Sequence, residues 1–474
     1  MKHPTFRGLL RLAAFLLGLA LIVAFANTFC IKTDIYAALT MSEVKTRSDI
    51  EVAFVGSSIV RDHFNADMIS KEIGKTCFAL GIPCGMLQGN IASTRELYRK
   101  NSPEWTILVI EPFTVDSARE GIEGQYDLLP FLSSPFEQLR YYYSVAKEDG
   151  WYVDRAFMFR DYAVDSFGEF METVGMHLRP FRTYEKIRPT LDPRMTYMGS
   201  GYSRCDTDER ATEMVRQQII REYTGYVYDL LPQTREMLLE YRDLVAQNGS
   251  KLLVFIYPNL TVHNLAIPGF LDYNEALMRF CKENDIECVN FSLARPELYP
   301  RKTDEYYFDL YHMVGEGSDI FSYCFSKFFN AFKAGEDTSG WFYSGKWEYL
   351  QSVTVIPNCW IQTYHPEEDW NMAWEQDEQT VSAASENGAR DVYAANCNHG
   401  PSVAPEYRFF LRDESTGTET PLTAWQTEGI LSCSKGELTG ACIRVYARAQ
   451  GGADDPSLYF DFRPGIDEEP CLQV

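Results

Sequence analysis

Glu51-Val52-Ala53-Phe54-Val55-Gly56-Ser57-Ser58-Ile59 opens with a short apolar run and ends on a glycine and two serines. A run this short and this rich in β-branched and aromatic residues reads as a strand buried on both faces, too apolar for a one-sided sheet. Trp105 to Ile110, Lys251 to Tyr257 and Ile286 to Phe291 read the same way. Between them, Asn65 to Ile73 with Gly74 behind it, Thr212 to Gln247, and Asp272 to Glu283 have the caps and the 3.6-residue periodicity of covering helices. Strand followed by helix, repeated, predicts an α/β unit built on a parallel sheet.

From Val115 to Ser203 the pattern loosens into aromatic, helix-leaning stretches such as Phe136-Glu137-Gln138-Leu139-Arg140-Tyr141-Tyr142-Tyr143, read as an insertion capping the sheet. Packing core is the expectation for those aromatics, with a sugar-stacking platform as the alternative. A boundary falls near Lys333 to Gly340. Beyond it the apolar period changes to two, in Tyr407 to Arg412, Cys442 to Arg448 and Leu458 to Phe462, with turn-rich Asp413 to Thr418 between the first two. That pattern predicts a small antiparallel β-sandwich.

The whole chain has 474 residues, 45% apolar and 23% charged, so it can bury a large core and is neither disordered nor fibrous. Asp and Glu number 67 against 44 Lys and Arg, a net charge of −23 with no basic cluster, which excludes nucleic acid as the expected partner. Lys2, Arg7 and Arg11 precede an uncharged run from Leu12 to Ile31, long enough for a membrane-crossing helix. Ala24-Phe25-Ala26 also fits the small-x-small cleavage rule, so the segment is either an uncleaved anchor, the expectation here, or a removed signal peptide. Both readings put the rest of the chain outside the cytoplasm. Twelve cysteines fit an oxidising compartment, and among Cys359, Cys397, Cys433, Cys442 and Cys471 some pairing is expected; Cys77, Cys84, Cys281 and Cys324 read as buried thiols. No C-x-x-C is present and the histidines are scattered, so no metal site is expected.

The chemistry candidates lie in the α/β unit. Ser58 follows the first buried strand at its carboxyl end, where open α/β sheets place their sites; glycine there lets the chain turn out of the strand, and the bland alternative is a turn with a helix cap. Near the end of the unit, Phe308-Asp309-Leu310-Tyr311-His312 precedes Gly315-Glu316-Gly317 and a last helix. An Asp three residues before a His can hold the imidazole through Nδ1 and leave Nε2 to take a serine proton. His63 reads as pointing elsewhere, Arg61 as pairing with a carboxylate, and Glu111 with Asp116 as residues of a solvated loop.

Gly56-Ser57-Ser58 with Asp309 and His312 resembles the first and last blocks of the SGNH/GDSL hydrolases, with Ser58 in the nucleophile position. The longer string Gly56 to Phe64, Leu80-Gly81-Ile82-Pro83 and Leu252 to Pro258 are similar to the membrane-anchored branch that includes the teichoic-acid D-alanyl transfer protein and the alginate O-acetylation proteins. Over about Ser48 to Phe332 the resemblance implies a flavodoxin-like three-layer α/β/α fold. It also implies a cofactor-free serine esterase or O-acyltransferase acting on acyl esters of envelope polysaccharide, often beside a membrane-bound O-acyltransferase. Gly81 or Gly85 would supply the second-block N–H to the oxyanion hole. Ser57 replaces the usual aspartate, and Glu111-Pro112-Phe113-Thr114 lacks the third-block asparagine. Loss of one oxyanion donor typically costs about 2.7–4 kcal/mol of transition-state stabilisation, so slow chemistry, a different donor, or a non-catalytic glycan- or partner-binding protein are the alternatives. The expected organisation is an anchor over 1–31, an SGNH-like α/β domain over 46–335 and an accessory β-sandwich over 341–474.

Overall fold

The computed structural model describes residues 6–30, 35–83, 85–111, 122–148, 164–178, 192–211, 229–267, 269–300, 303–364, 383–385, 389–454 and 458–466. Its central sheet contains β1 (Val52–Gly56), β2 (Cys77–Gly81), β3 (Trp105–Ile110), β6 (Lys251–Ile256) and β7 (Glu287–Asn290), in the order β2-β1-β3-β6-β7 with every neighbouring pair parallel. This is the flavodoxin-like doubly wound order, whose strand sequence reverses between β1 and β3. All residues of β1, β2 and β3 are buried, as their unbroken apolar runs require. Alternate side chains feed opposite layers. Val52 and Phe54 face a core shared with the helices Ala66–Ile73 and Gly315–Ala334, while Ala53 and Val55 face one shared with the helix Ile35–Thr46.

Four of the five sheet strands were expected, with ends shifted by a residue or so; β2 was not. Cys77-Phe78-Ala79-Leu80-Gly81 has no β-branched residue, so propensity does not mark it, and burial between a helix layer on each face makes it a strand. The helix Ala66–Ile73 matches its sequence signals: Asn65 Oδ1 accepts the Met68 N–H at 3.1 Å, and Gly74 closes it at φ +67°. The helix expected over 212–247 is described as Pro232–Gln247, with 212–228 outside the described residues. The insertion is not wholly helical. It carries the helices Pro135–Glu148 and Phe167–Leu178, then a hairpin of β4 (Met195–Gly199) and β5 (Tyr202–Cys205). That hairpin seals the edge of β2: Ala79 N–H donates to the Ser200 carbonyl at 2.8 Å, and Glu43 accepts the Ser200 N–H at 3.0 Å. Of the aromatics in the first insertion helix, Tyr141 is buried core whereas Phe136 and Tyr143 are exposed.

The second unit is antiparallel throughout. β8 (Asn358–Thr363), β9 (Arg390–Asn398) and β12 (Ile430–Ser434) form one sheet. β10 (Pro405–Arg412), β11 (Glu419–Pro421), β13 (Cys442–Ala449) and β14 (Tyr459–Phe462) form the other. Inward residues of both, among them Ile361, Tyr393, Phe409 and Val445, share one core, which makes a sandwich. Cys359, Cys397, Cys433 and Cys442 are free thiols buried in this unit, so no pairing occurs among them; Cys471 and Cys84 lie outside the described residues. They serve as small apolar groups instead. Cys77, Cys281 and Cys324 are likewise buried and free.

The N-terminal segment forms a helix, Phe6–Phe29, with Leu9, Leu10, Leu12, Phe15, Leu16, Leu17, Leu19, Leu21, Ile22 and Phe25 exposed. Counting described residues alone, no helix is long and apolar enough to cross a membrane; the side chains of residues 24, 27 and 28 in this helix lie outside them.

Candidate active site

The chain leaves β1 at Gly56 and enters the helix Ser58–His63 directly. The two serines divide the expected roles between them. Ser57 is the N-cap, its Oγ accepting the Ile59 N–H at 3.3 Å, which leaves Ser58 as the part-exposed residue of an otherwise buried turn. Gly56 is needed for space rather than for a left-handed conformation: a Cβ there would come within 2.7 Å of Val60 Cγ2 and 3.0 Å of the Val109 carbonyl. The site therefore opens at the carboxyl ends of β1 and β3, the crevice that strand order creates.

Ser58 Oγ lies 2.9 Å from His312 Nε2, and His312 Nδ1 lies 2.9 Å from Asp309 Oδ2. These three residues, expected from two motifs 254 positions apart, meet in hydrogen-bonded series. Asp309 also builds its own loop, because Oδ1 accepts the Tyr311 N–H at 2.7 Å and the His312 N–H at 2.6 Å. Tyr307 and Met313 bridge across the base of this loop, and Phe308 N–H donates to the His312 carbonyl at 3.0 Å. The carboxylate thus fixes both the turn and the tautomer with Nδ1 protonated, leaving Nε2 to accept the Ser58 hydroxyl proton.

Burial disfavours the imidazolium of His312, but the hydrogen bond and charge of Asp309, helped by Asp62, outweigh it and raise the histidine's pKa. Burial likewise works against the Asp309 carboxylate, and its bonds to His312 and to the loop amides hold its pKa below the usual value. Asp62 is a contributor that the sequence reading did not single out. Its Oδ2 stands 4.0 Å from His312 Nε2, and both its oxygens are 2.6 Å from the Arg61 guanidinium, itself stacked 4.2 Å from the Tyr36 ring. Arg61 is buried against a carboxylate, as expected, and does not reach out to a substrate.

His63, read as pointing elsewhere, is fully buried and its Nε2 accepts the Met313 N–H at 2.9 Å. It is kept neutral by burial, with the charges of His312 and Arg61 pushing the same way. It supports the loop that carries His312.

Of the two glycines expected at the oxyanion hole, Gly85 has its N–H engaged and Gly81 sits at a close packing contact. The Gly85 N–H donates to the Ile82 carbonyl at 3.0 Å, so that donor is already engaged. A Cβ on Gly81 would come within 2.4 Å of the Arg61 backbone nitrogen, so glycine there lets the helix Ser58–His63 lie against β2. Glu111 is no solvated loop residue. It is 5% exposed, and burial raises its carboxyl pKa to about 8, with His312 opposing the shift and Asp309 adding to it. Asp116, read with it as a loop residue, lies outside the described residues. Among the described residues no group of three or more His, Cys, Asp or Glu could hold a metal ion.

This fold and site define a mixed α/β protein with a parallel central sheet, a separate antiparallel β domain, and a hydrogen-bonded Ser-His-Asp series at the sheet's switch point. No protein-family model matches the chain, and no curated protein matches it. Among solved structures it is similar to a two-domain esterase active on acetylated mannans, co-crystallised with mannopentaose, at 10% identity and a TM-score of 0.26, over 92% of this chain and 96% of that one.

Proposed function

We propose that the chain is an SGNH-type serine esterase or O-acyltransferase that works through an acyl-Ser58 intermediate. The single observation that carries this reading is the series Ser58 Oγ, His312, Asp309, with both hydrogen bonds at 2.9 Å. Ser58 adds to the ester carbonyl while its proton passes to His312 Nε2; collapse of the tetrahedral intermediate expels the alcohol, which takes that proton back. In the second half, water or a sugar hydroxyl gives its proton to His312 and attacks the acyl-serine, releasing acid or a new ester. Asp309 holds the imidazole and offsets its charge, which Asp62 also faces.

The proposed substrate class is the acyl ester, acetyl-like in size, of an envelope polysaccharide. It comes from the resemblance of Gly56-Ser57-Ser58 and Asp309-x-x-His312 to the anchored SGNH branch, which also suggests a membrane-bound O-acyltransferase as partner. The extracytoplasmic, anchored location is part of the same proposal, supported by Lys2, Arg7 and Arg11 ahead of the uncharged run from Leu12 and by the exposed apolar side chains of the helix Phe6–Phe29. The engaged Gly85 amide and the absent third-block asparagine favour a second reading, a catalytically weak protein that binds envelope glycan or an acyltransferase.

Hydrolysis of p-nitrophenyl acetate by the full chain, against Ser58→Ala, separates the two, with intact-mass detection of an acyl adduct. Turnover and an adduct that both vanish in Ser58→Ala are expected. A folded wild type with neither would leave the binding reading.

A further inference from the structure

We propose that Glu111, as a neutral carboxylic acid, donates the side-chain hydrogen bond to the oxyanion that forms when Ser58 adds to an acyl carbonyl. The proposal rests on the acyl-ester reading above and supplies the donor that the missing asparagine and the engaged Gly85 amide leave vacant. Strands β1 and β3 are paired through Val55 opposite Leu108, a Cβ on Gly56 would come within 3.0 Å of the Val109 carbonyl, and Ser58 and Glu111 each follow two residues beyond that contact. Both residues therefore follow the carboxyl ends of the two neighbouring strands that flank the switch point. The site is closed behind Glu111 by β6, whose continuation Tyr257 donates its N–H to the Ile110 carbonyl at 3.0 Å.

The electrostatic surroundings agree. Glu111 is buried among groups of the site: His312 and Asp309 both act on its charge from their loop, and its charge in turn acts on Tyr257 at the end of β6. The helix Ser58–His63 brings only the mutually paired Arg61 and Asp62 and the neutral His63. Burial dominates, so the carboxyl is protonated below pH about 8. A carboxylate at this position would repel a developing oxyanion, whereas a buried carboxylic acid can donate to it. In the step itself the carbonyl π pair moves onto oxygen, the Ser58 proton goes to His312, and the proton of Glu111 stays on Glu111. On collapse His312 protonates the leaving alcohol, and the bond from Glu111 relaxes.

The test compares full-length wild type, Glu111→Gln, Glu111→Ala and Ser58→Ala in p-nitrophenyl acetate hydrolysis from neutral to alkaline pH. Wild-type kcat is expected to fall as pH rises through about 8. Glu111→Gln keeps an N–H donor that does not titrate, so it holds the neutral-pH kcat within about tenfold and loses that alkaline fall; Glu111→Ala loses about 10²–10³ in kcat with KM little changed. An alkaline fall that persists in Glu111→Gln, or a Glu111→Ala rate equal to wild type, overturns the donor role alone. Absence of Ser58-dependent turnover in the wild type overturns the esterase reading and this role with it. Infrared spectroscopy reads the protonation without turnover: a protonated-carboxyl band at neutral pH that Glu111→Gln removes is expected, and its absence overturns the neutral-acid state.

Discussion

His63 Nε2 accepts the backbone N–H of Met313 at 2.9 Å, so the buried end of the helix that begins with Ser58 holds the loop that carries His312. Ser58 and His312 are thereby clamped to each other by a third side chain. Removing it leaves a buried N–H without an acceptor, at a cost of about 1–3 kcal/mol. His63→Ala is expected to lower stability by that amount in urea unfolding and to cut Ser58-dependent kcat by about tenfold or more, because the loop loses its register. Unchanged kcat with lowered stability would show that Asp309 alone holds the loop.

Asp309→Asn separates the loop-building task from the electrostatic one. An asparagine Oδ1 can still accept the Tyr311 and His312 amides, while its amide group cannot stabilise the imidazolium. We expect a folded variant with an unshifted melting curve and kcat lower by about 10³–10⁴. Loss of the raised His312 pKa should accompany it, so that any residual rate has its acid limb at lower pH than in wild type. A variant that keeps wild-type kcat would remove Asp309 from the mechanism.

Gly81→Ala tests the close approach beneath the nucleophile. The added methyl would meet the Arg61 backbone nitrogen at 2.4 Å, a main-chain atom that cannot swing away. The helix Ser58–His63 must move, at a cost of about 1–3 kcal/mol, and activity should fall far more than stability. Retained activity on p-nitrophenyl acetate would show that the helix can shift without disturbing Ser58.

Two buried histidines set an acid limit on stability. His263 is lowered to about 4 by burial, and His63 is lowered for the same reason together with the His312 and Arg61 charges. Each has a folded pKa below its unfolded value near 6.5. Their contribution is therefore fully present above pH 6.5 and is lost as pH falls from there towards the folded values; for His263 it amounts to about 3 kcal/mol. Stability from urea unfolding should decline over this window, and His263→Gln should make the decline shallower. A slope unchanged by that substitution would assign the acid sensitivity to other groups.

The anchor is tested by fractionation. Full-length chain is expected in the membrane fraction and resistant to alkaline carbonate, and a chain beginning near Lys32 is expected in the soluble fraction. Full-length chain found free of membranes and shortened at Ala26 would point to a cleaved signal instead.

What the sequence by itself determined is whatever local pattern and residue chemistry dictate. Unbroken apolar runs specify strands buried on both faces, Asn65 and Gly74 delimit a helix, period-two alternation specifies the sandwich, and Gly-Ser-Ser with Asp-x-x-His specifies a serine paired with an oriented histidine. The tertiary structure decided what depends on neighbours far along the chain. Burial makes a strand of Cys77–Gly81 and turns the sandwich cysteines into core thiols. Packing gives Ser57 the cap, Gly81 the helix contact and His63 the Met313 amide. Glu111 shows the division most clearly: as a letter it reads as a charged loop residue, and only its burial at the end of β3, within reach of the charges of His312 and Asp309, raises its carboxyl pKa to about 8. Local sequence carries dihedral preference and periodicity, whereas solvation and through-space charge are set once the chain has closed around a group.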